Sequence, residues 1–456
     1  GAATEVLAEQ PPGSAEDDIA QLTSARDAPK GSRQQLALNL VAGGLGTGIL
    51  SLPWCMAGAS LVPGVLMVVG VMALNAWTIM ILVNAAETHQ VFDLGSLAAL
   101  LPGRLWPGRL GDRLPSLGRF MQGFINLMVW VAMLGTLTSY FIAMHDAAAH
   151  FLIGTEFGHR KWPLITFVAM FLLPLCLLDQ RYLWYISFVA VAMGIYLLVV
   201  LAVEFAHKVS SDALPDGVCL VGGGRGSMAM PAALAQCIII QMCALPMYKD
   251  LEHRTPRRFA EAMWTAFGIL TVFYVSFASL GYFTFGPDVN SNMLRSFARG
   301  HAANMAQAGT VAVVTAVYPI MIIPMVAPSQ HLRLAVIVRR MYAQRHGSAV
   351  VPLAIVVFVS LSCIGASSID SLGFVNIIDG ALCVGAFTSL APSFVGLRLL
   401  QRSSFRWRAL MIGLLMFGSL NALLGVVFSS NYEQDIATSC AVELRNTMAP
   451  SWMFFF

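Results

Sequence analysis

Four glycines lie within six positions of one apolar stretch, VAGGLGTGILSLPW: Gly43, Gly44, Gly46 and Gly48. Each costs a helix up to about 1 kcal/mol relative to alanine. A helix that breaks here frees backbone N–H groups and the positive end of a half-helix dipole, which can bind an anionic group without a charged side chain. Close helix packing is the alternative, because glycines four residues apart let two backbones approach. The stretch alone leaves both interpretations open.

A single acidic side chain lies deep in an apolar stretch. Of the 24 Asp and Glu residues, only Asp379 does so, nine residues after Asp370 and therefore about 13 Å further along a helix. A carboxylate is costly in hydrocarbon, so a residue there can serve as a carrier that takes up and releases a proton. It can equally be a structural carboxylate that faces a vestibule or bonds to Asn376. Both interpretations stay open.

The elements that position these residues are membrane spans. The chain has 456 residues, of which 57% are hydrophobic and 11% charged, and its mean hydropathy is +0.72. No charged residue or histidine occurs between Gln34 and Ala86. Because soluble domains carry about 25% charged residues, this composition predicts an all-α integral membrane protein. Its expected partners are the lipid bilayer and a small molecule, with no nucleic acid.

Apolar runs of about 20 residues predict eleven spans. Their ranges are 36–58, 61–86, 118–148, 162–178, 182–206, 228–248, 259–285, 303–330, 349–369, 371–396 and 407–429. With the N-terminus in the cytoplasm, 20 of the 27 Lys and Arg residues fall on the cytoplasmic side, as the positive-inside rule requires. The predicted domains are a disordered cytoplasmic tail at 1–33, a transmembrane domain at 34–430 and a short non-cytoplasmic tail at 431–456.

The sixth predicted span contains a second helix breaker. It includes the sequence IIIQMCALPMYK, with Pro246 inside the apolar run. Proline lacks an N–H group and clashes with the preceding turn, so we expect the helix to kink or unwind between Gln241 and Pro246. Spans one and six would open the two halves of a 5+5 inverted repeat, in which paired breaks mark a transport site. The second breaker therefore favours a transport site over simple packing.

Three ordered motifs resemble those of the amino acid/auxin permeases. NLVAGGLGTGILSLPW is similar to the first span of that family, LPMYKDLEHRTPRRF to the end of its sixth, and GYFTFGPDVNSNML to the exit of its seventh. YPIMIIP and the stretch from Gly380 to Pro392 fit less specifically. The resemblance implies the leucine-transporter fold, with broken helices one and six and an extra C-terminal helix. It also implies a secondary active transporter of amino acids, driven by a proton or sodium gradient.

The broken helices would supply the groups that bind an amino acid. N–H groups from Leu45 to Ile49 can donate to its carboxylate, and free carbonyls at each break can accept from its ammonium group. Cys243 and Ala244 are small, and spans three and six hold no acid or base at depth, so we expect neutral amino acids of small or medium size. The predicted substrate-binding residues are Ala42, Gly43, Gly44, Leu45, Gly46, Thr47, Gly48, Ile49, Ile240, Gln241, Cys243 and Ala244.

The coupling ion is predicted to be a proton or sodium, with no other cofactor. Asp379 is the candidate proton carrier. For sodium, the resemblance implies an asparagine where this chain has Ala42, whose carbonyl can still ligate the ion. It also implies a threonine in span eight, two positions from Thr315. Thr315 can instead bond the carbonyl four residues earlier in its own helix. The histidine and cysteine spacings suit no metal site.

Only two cysteines, Cys219 and Cys440, are both predicted to lie on the non-cytoplasmic side, so they can pair if that side is oxidising. The resemblance implies a disulfide between the loops after spans five and seven, and the latter loop has no cysteine here. The pairing stays open.

Two other functional classes are weighed against transport. The same fold can serve as a non-transporting amino acid sensor, and the tail at 1–33 could carry its signal. An enzyme is not expected, because no span carries a nucleophile and base at helical spacing. The plasma membrane and a vacuolar or lysosomal membrane stay equally open, and the sequence identifies no protein partner.

Overall fold

The structure, a computed structural model, describes most of the chain. The described residues are 31–103, 116–152, 161–176, 183–224, 226–297, 300–329, 350–400, 404–429 and 439–443. The predicted tails at 1–33 and 431–456 therefore lie outside the described residues, except for 31–33 and 439–443. The described part is mostly helical, as the composition predicts.

The first half of the chain is a series of helices. They are α1 (Arg33–Gly44), a 3-10 helix (Thr47–Ser51), α2 (Leu52–Ala59), α3 (Leu61–His89), α4 (Leu94–Ala99), α5 (Leu117–Phe151), α6 (Lys161–Cys176) and α7 (Leu183–Ser210). Polar side chains cap several of their starts: Ser32 accepts from the N–H of Gln35, and Asp93 from that of Ser96. These caps fix where helices begin in a chain whose apolar pattern changes little.

The second half has the same character. Its elements are α8 (Gly226–Cys237), α9 (Gln241–Lys249), α10 (Pro256–Phe285), two 3-10 helices (Gly286–Asp288 and Met293–Ser296), α11 (His301–Ser329), α12 (Val350–Ser368), α13 (Leu372–Cys383), a π-helix (Val384–Leu390), α14 (Ala391–Arg398) and α15 (Phe405–Ser429). Thr255 caps the start of α10, because its side chain accepts from the N–H of Arg258, and Pro256 is the first residue of the helix.

The number of membrane spans agrees with the sequence in part. Seven helices in the described residues are long and apolar enough to cross a membrane, or eight if the bent pair Arg33–Gly44 and Thr47–Ala59 is one span. A helix occupies each of the eleven predicted ranges. In two of them, α6 and α12, only the shorter apolar stretches Lys161–Pro174 and Ile355–Ser368 are found among the described residues. The chain is a multi-pass membrane protein, and the count of eleven stays a prediction.

The first predicted span is broken at its glycines. α1 ends at Gly44, and the chain continues into Thr47–Ala59 at an angle of 45°. Between the two helices Gly46 is extended, with φ −81° and ψ −173°. The 3-10 helix then starts at Thr47, and the first N–H groups of a helix have no acceptor within it.

The break in the sixth span lies earlier than the sequence predicts. It occupies residues 238–240, whereas the expected kink between Gln241 and Pro246 is wrong, because Pro246 lies inside α9. Proline removes one hydrogen bond, which the nine-residue helix tolerates near its end. Three consecutive isoleucines, which are β-branched and lower helix propensity, form the actual break.

The broken spans lie at the centre of the bundle. In the span Gly226–Lys249, 78% of the apolar window is buried, against 22% in Phe405–Ser429. α8 packs against α13, α13 against α5, and α10 against α1 and α3. The last helix therefore presents most of its apolar surface to lipid, while the two breaks are enclosed by protein.

A small antiparallel sheet joins two distant segments. β1 (Cys219–Gly223) pairs with β2 (Ser439–Glu443), so that Gly223 lies opposite Ser439. A disulfide between Cys219 and Cys440 links the same strands. The pairing that the sequence left open is therefore present.

Candidate functional site

Two of the four glycines in the first span serve close packing. A Cβ atom on Gly48 would lie 2.9 Å from Cys237 Sγ and 3.0 Å from Cys237 Cα. A Cβ atom on Gly44 would lie 2.7 Å from a Leu270 methyl carbon. Packed carbon atoms prefer about 3.5–4.0 Å. Gly44 and Gly48 therefore let the first span approach α10 and the break in the sixth span.

The other two glycines face open space. A Cβ atom on Gly43 would have no neighbour within 4 Å, and one on Gly46 would have the Tyr140 hydroxyl oxygen at 3.4 Å. Both residues line a cavity of about 200 Å³. Both interpretations of the glycine cluster therefore apply: Gly44 and Gly48 allow close packing, and Gly43 and Gly46 expose the backbone to the cavity.

This central cavity lies between the two breaks and the helices α5, α7 and α11. Its lining residues are Asn39, Leu40, Ala42, Gly43, Leu45, Gly46, Thr47, Ile49, Leu50, Tyr140, Ala190, Met193, Gly194, Leu197, Ile239, Ile240, Cys243, Met247, Thr310, Val313, Val314, Val317 and Met321. None of these carries a charge. At 200 Å³ the cavity is smaller than the roughly 300–1,000 Å³ typical for drug-sized ligands, so it suits a small molecule.

Most of the predicted binding residues line this cavity. They are Ala42, Gly43, Leu45, Gly46, Thr47, Ile49, Ile240 and Cys243. The other four, Gly44, Gly48, Gln241 and Ala244, are absent from the lining. Ala244 is fully buried. The break residues are thus brought together as the sequence suggests, while residues on the opposite helix faces pack into the protein.

Gln241 belongs to a separate buried cluster. Its side-chain amide donates to Asn75 Oδ1 and, at 3.2 Å, to Thr388 Oγ1. Thr388 Oγ1 lies 3.2 Å from the same Asn75 oxygen. Since Asn75 is on α3 and Thr388 in the π-helix, Gln241 holds the start of α9 against these two elements. The structure gives Gln241 this structural contact rather than a place in the cavity.

A chain of hydrogen bonds fixes the 3-10 helix of the first span. Ser139 Oγ donates to Asn376 Oδ1 at 2.9 Å, and Asn376 Nδ2 donates to Ser51 Oγ at 3.0 Å. Ser51 Oγ in turn donates to the carbonyl of Gly48 at 2.9 Å. The first span is therefore tied to α5 and α13 just beyond the cavity. The Asn376 amide oxygen bonds to Ser139 and its nitrogen to Ser51, so the alternative in which Asn376 bonds to Asp379 is not observed.

Asp379 is absent from the cavity lining. It is 2% exposed and packs against Gly135, where a Cβ atom would approach the carboxyl carbon to 2.6 Å. Thr136 Oγ1 donates to Asp379 Oδ2 at 3.1 Å, and the Gln236 amide donates to Thr136 at 3.2 Å. Asp379 Oδ1 has no hydrogen-bond partner among the described residues. This oxygen is a place where a proton can be held.

The structure separates Thr315 from the cavity. Thr315 Oγ1 lies 3.7 Å from Met144 Sδ, on a different face of α11 from the lining residues. Two polar residues of the lining, Thr310 and Asn39, are not among the predicted binding residues. The Thr310 hydroxyl donates to the carbonyl of Ala306. Helical spacing of Thr310 with Val314 and Val317 was the available signal.

Asp146, near the end of α5, contacts the short helix before α11. The Asn292 amide donates to Asp146 Oδ2 at 3.0 Å, and Arg295 lies 3.9 Å from the same carboxylate.

A second ion pair lies at the loop before α13. Lys161 Nζ is 2.6 Å from Asp370 Oδ1, and this ammonium group lowers the pKa of the Asp370 carboxyl. The Asp370 side chain is 95% exposed, so solvent screens the pair and it contributes little to stability.

Comparison with known proteins identifies relatives across most of the chain. The family described as "Transmembrane amino acid transporter protein" matches residues 29–430. The amino acid transporter AVT6E of Arabidopsis thaliana is 23% identical, with 87% of this chain and 83% of that protein covered. The putative sodium-coupled neutral amino acid transporter 11 of Danio rerio is 22% identical, with 92% of each covered.

One further relative is much longer. The putative sodium-coupled neutral amino acid transporter 10 of Xenopus laevis is 22% identical over 297 residues, which are 63% of this chain and 27% of that protein. The chain thus spans about a quarter of the length of this relative.

Solved transporters share the fold. A manganese transporter of Eremococcus coleocola superposes with a TM-score of 0.53 at 13% identity, covering 88% of this chain and 91% of that one. Mhp1, a nucleobase-cation-symport-1 family transporter in a closed conformation, also has a TM-score of 0.53, at 12% identity and with 89% and 93% covered. These likenesses show the leucine-transporter type of fold and nothing about substrate.

Proposed function

Because the chain belongs to the transmembrane amino acid transporter protein family, we propose that it is a secondary active transporter that moves neutral amino acids across a membrane by alternating access. The family and the relatives above are transporters rather than enzymes, as the sequence predicts. The observation that carries the proposal is the cavity between two broken helices, which exposes backbone groups and no charged side chain.

The backbone at the two breaks supplies the recognition of the amino acid. The N–H groups of Gly46 and Thr47, at the start of the 3-10 helix, lie in the lining and meet the substrate carboxylate at the positive end of the helix dipole. The flanking Leu45 and Ile49 do not take part, because their N–H groups already donate to backbone carbonyls. The carbonyl of Gly43, in the lining, accepts from the ammonium group, and that of Ala42 has one lone pair left besides its bond from the Leu45 N–H. The Ile240 carbonyl already accepts from the N–H groups of Cys243 and Ala244. Gly46 presents only a hydrogen atom to the cavity, so the carboxylate can approach the chain closely.

The lining sets which side chain is accepted. Apolar residues of α7 and α11, such as Met193 and Val314, surround the space beyond the breaks. A charged side chain would be buried there without an opposite charge in the lining, which is costly. Small and medium neutral amino acids fit both the polarity and the 200 Å³ volume.

For coupling, we favour a proton carried by Asp379. Its buried carboxyl lies on α13 against α5, next to elements that the Asn376 bonds tie to the first span. A proton on Oδ1 would remove the charge and change how α5 and α13 pack. Sodium is the alternative, with the carbonyl of Ala42 as one ligand. Thr315 supports it less, because its hydroxyl contacts Met144.

The positive-inside rule assigns the start of α1 and the end of α9 to the cytoplasmic side. The plasma membrane and a vacuolar or lysosomal membrane are equally compatible with this orientation.

Uptake into proteoliposomes tests the proposal. A mixture of labelled neutral amino acids is supplied under an imposed proton gradient and, separately, an imposed sodium gradient, with protein-free liposomes as the control. Uphill accumulation under one gradient would support transport and identify the ion. Binding without accumulation under either gradient would favour the sensor alternative, for which the relatives give no support.

A further inference from the structure

One buried tyrosine lies between the two helix breaks. Tyr274 is on α10, and its side chain is fully buried outside the cavity lining. Its hydroxyl lies within hydrogen-bonding distance of the carbonyl of Gly44, the last residue of α1. The same hydroxyl is 3.0 Å from the carbonyl of Cys237, the last residue of α8. One side chain therefore reaches the broken end of both spans.

The two carbonyls need such a partner. The last carbonyls of a helix have no N–H donor within that helix, and the C-terminal end of a helix carries a partial negative charge. Where α1 and α8 end in the middle of the protein, water is scarce and an unsatisfied carbonyl is costly. Because one hydroxyl lies within hydrogen-bonding distance of both carbonyls, the two negative ends are close together. The single hydroxyl hydrogen of Tyr274 is shared between these two carbonyl oxygens in a three-centre hydrogen bond.

We propose that Tyr274 is a positioning residue that ties the two helix breaks together through its hydroxyl and so fixes the backbone groups that line the cavity. The inference rests on the proposed function in so far as those groups bind an amino acid. Tyr274 touches no substrate in this arrangement. It acts through the ends of α1 and α8, whose neighbouring residues Leu45, Ile239 and Ile240 are in the lining.

The same helix offers a matched control. Tyr282 is also buried on α10, two turns further on, and its hydroxyl oxygen accepts from the backbone N–H of Cys219 at 2.9 Å. Tyr274→Phe and Tyr282→Phe remove the same atom from the same helix. Only the former removes a hydrogen bond at the breaks.

Two measurements on the full-length protein in proteoliposomes test the proposal. The first is the rate at which a water-soluble maleimide labels Cys243, which lines the cavity and is partly exposed. The second is KM for uptake of labelled neutral amino acids. We expect Tyr274→Phe to change the labelling rate without substrate and to raise KM roughly tenfold, the loss that corresponds to one hydrogen bond in a buried site. Tyr282→Phe should leave both unchanged.

The outcomes separate the two proposals. If Tyr274→Phe labels and transports as the unmodified protein does, the positioning role is overturned. If the unmodified protein shows no uptake, the transport proposal fails, while the labelling rate still tests Tyr274. Should Tyr274→Phe not reach the membrane, replacement of Tyr274 by 4-aminophenylalanine is compared with 4-methylphenylalanine. The amine retains a donor and should preserve the labelling rate; equal behaviour of the two would overturn the proposal.

Discussion

Alanine in place of Gly46 or Gly48 separates the two roles of the glycines in the first span. For Gly48→Ala, the new methyl group would lie 2.9 Å from Cys237 Sγ and 3.0 Å from the Cys237 Cα. These distances are about half an ångström shorter than packed atoms accept. The two breaks must then move apart, and overpacking of this kind costs about 1–3 kcal/mol of stability. We expect a lower midpoint of thermal unfolding in detergent.

Gly46→Ala should behave in the opposite way. The backbone at Gly46, with φ −81° and ψ −173°, is accessible to alanine. The nearest atom to the new methyl group is the Tyr140 hydroxyl oxygen at 3.4 Å, so the fold has no clash to relieve. The methyl group instead occupies part of the 200 Å³ cavity. One misplaced methylene in a close-fitting site costs about 1–3 kcal/mol, or 10–200-fold. We expect KM for uptake to rise by at least about tenfold with unchanged thermal stability.

Gly70→Ala is the matched control, because Gly70 lies within α3, is exposed, and would have no neighbour within 4 Å of a Cβ atom. It should change neither KM nor the unfolding midpoint by a comparable amount. Uptake kinetics and thermal unfolding are measured on all three variants. Gly46→Ala with an unaltered KM, or Gly48→Ala with unaltered stability, would refute the assignment of these glycines.

Two further predictions concern Asp379 and the disulfide. Asp379→Asn cannot exchange a proton, so we expect proton-driven accumulation to be lost while exchange of amino acids across the membrane continues. Asp370→Asn, at an exposed carboxylate, is the control. If Asp379→Asn still shows pH-driven uptake, Asp379 is not the proton carrier. Cys219 and Cys440 should react with a thiol reagent only after reduction, and Cys219→Ser should make Cys440 reactive in the non-reduced protein. Labelling of each cysteine is followed by peptide mass spectrometry. Labelling of both cysteines in the non-reduced protein would contradict the pairing.

The sequence carries enough information to locate the two broken spans, but not to predict which distant residues contact them. Glycines in an apolar run mark a broken helix on local grounds alone, and the structure places that break at Gly44 to Gly46. The sequence predicts the second break in the correct span, but it does not predict the position of the break within that span. Pro246 is the strongest local breaker, but the helix ends at Cys237, before the three isoleucines, and the Cys237 carbonyl there accepts from a hydroxyl of α10 that no local pattern reveals.

The roles of individual polar residues depend on contacts between distant parts of the chain. Gln241 follows the break and was a reasonable binding residue, but it points to Asn75 and Thr388, which lie 166 and 147 residues away. Asn376 and Tyr274 are similar cases, since neither stands in a recognisable motif. A single sequence gives the helical face of such residues only where apolar periodicity is strong, and spans buried on all sides lack it.

Protection of Cys243 from labelling tests the central claim, that an amino acid binds against the two broken helices. Cys243 lines the cavity, and four other free cysteines, Cys55, Cys237, Cys363 and Cys383, are buried. The protein in proteoliposomes is treated with a water-soluble maleimide, and the Cys243 peptide is followed by mass spectrometry. Saturating neutral amino acids should slow its labelling, arginine and glutamate should not, and Gly46→Ala should weaken the protection. A labelling rate that no amino acid alters, in protein that accumulates amino acids, would place the substrate elsewhere.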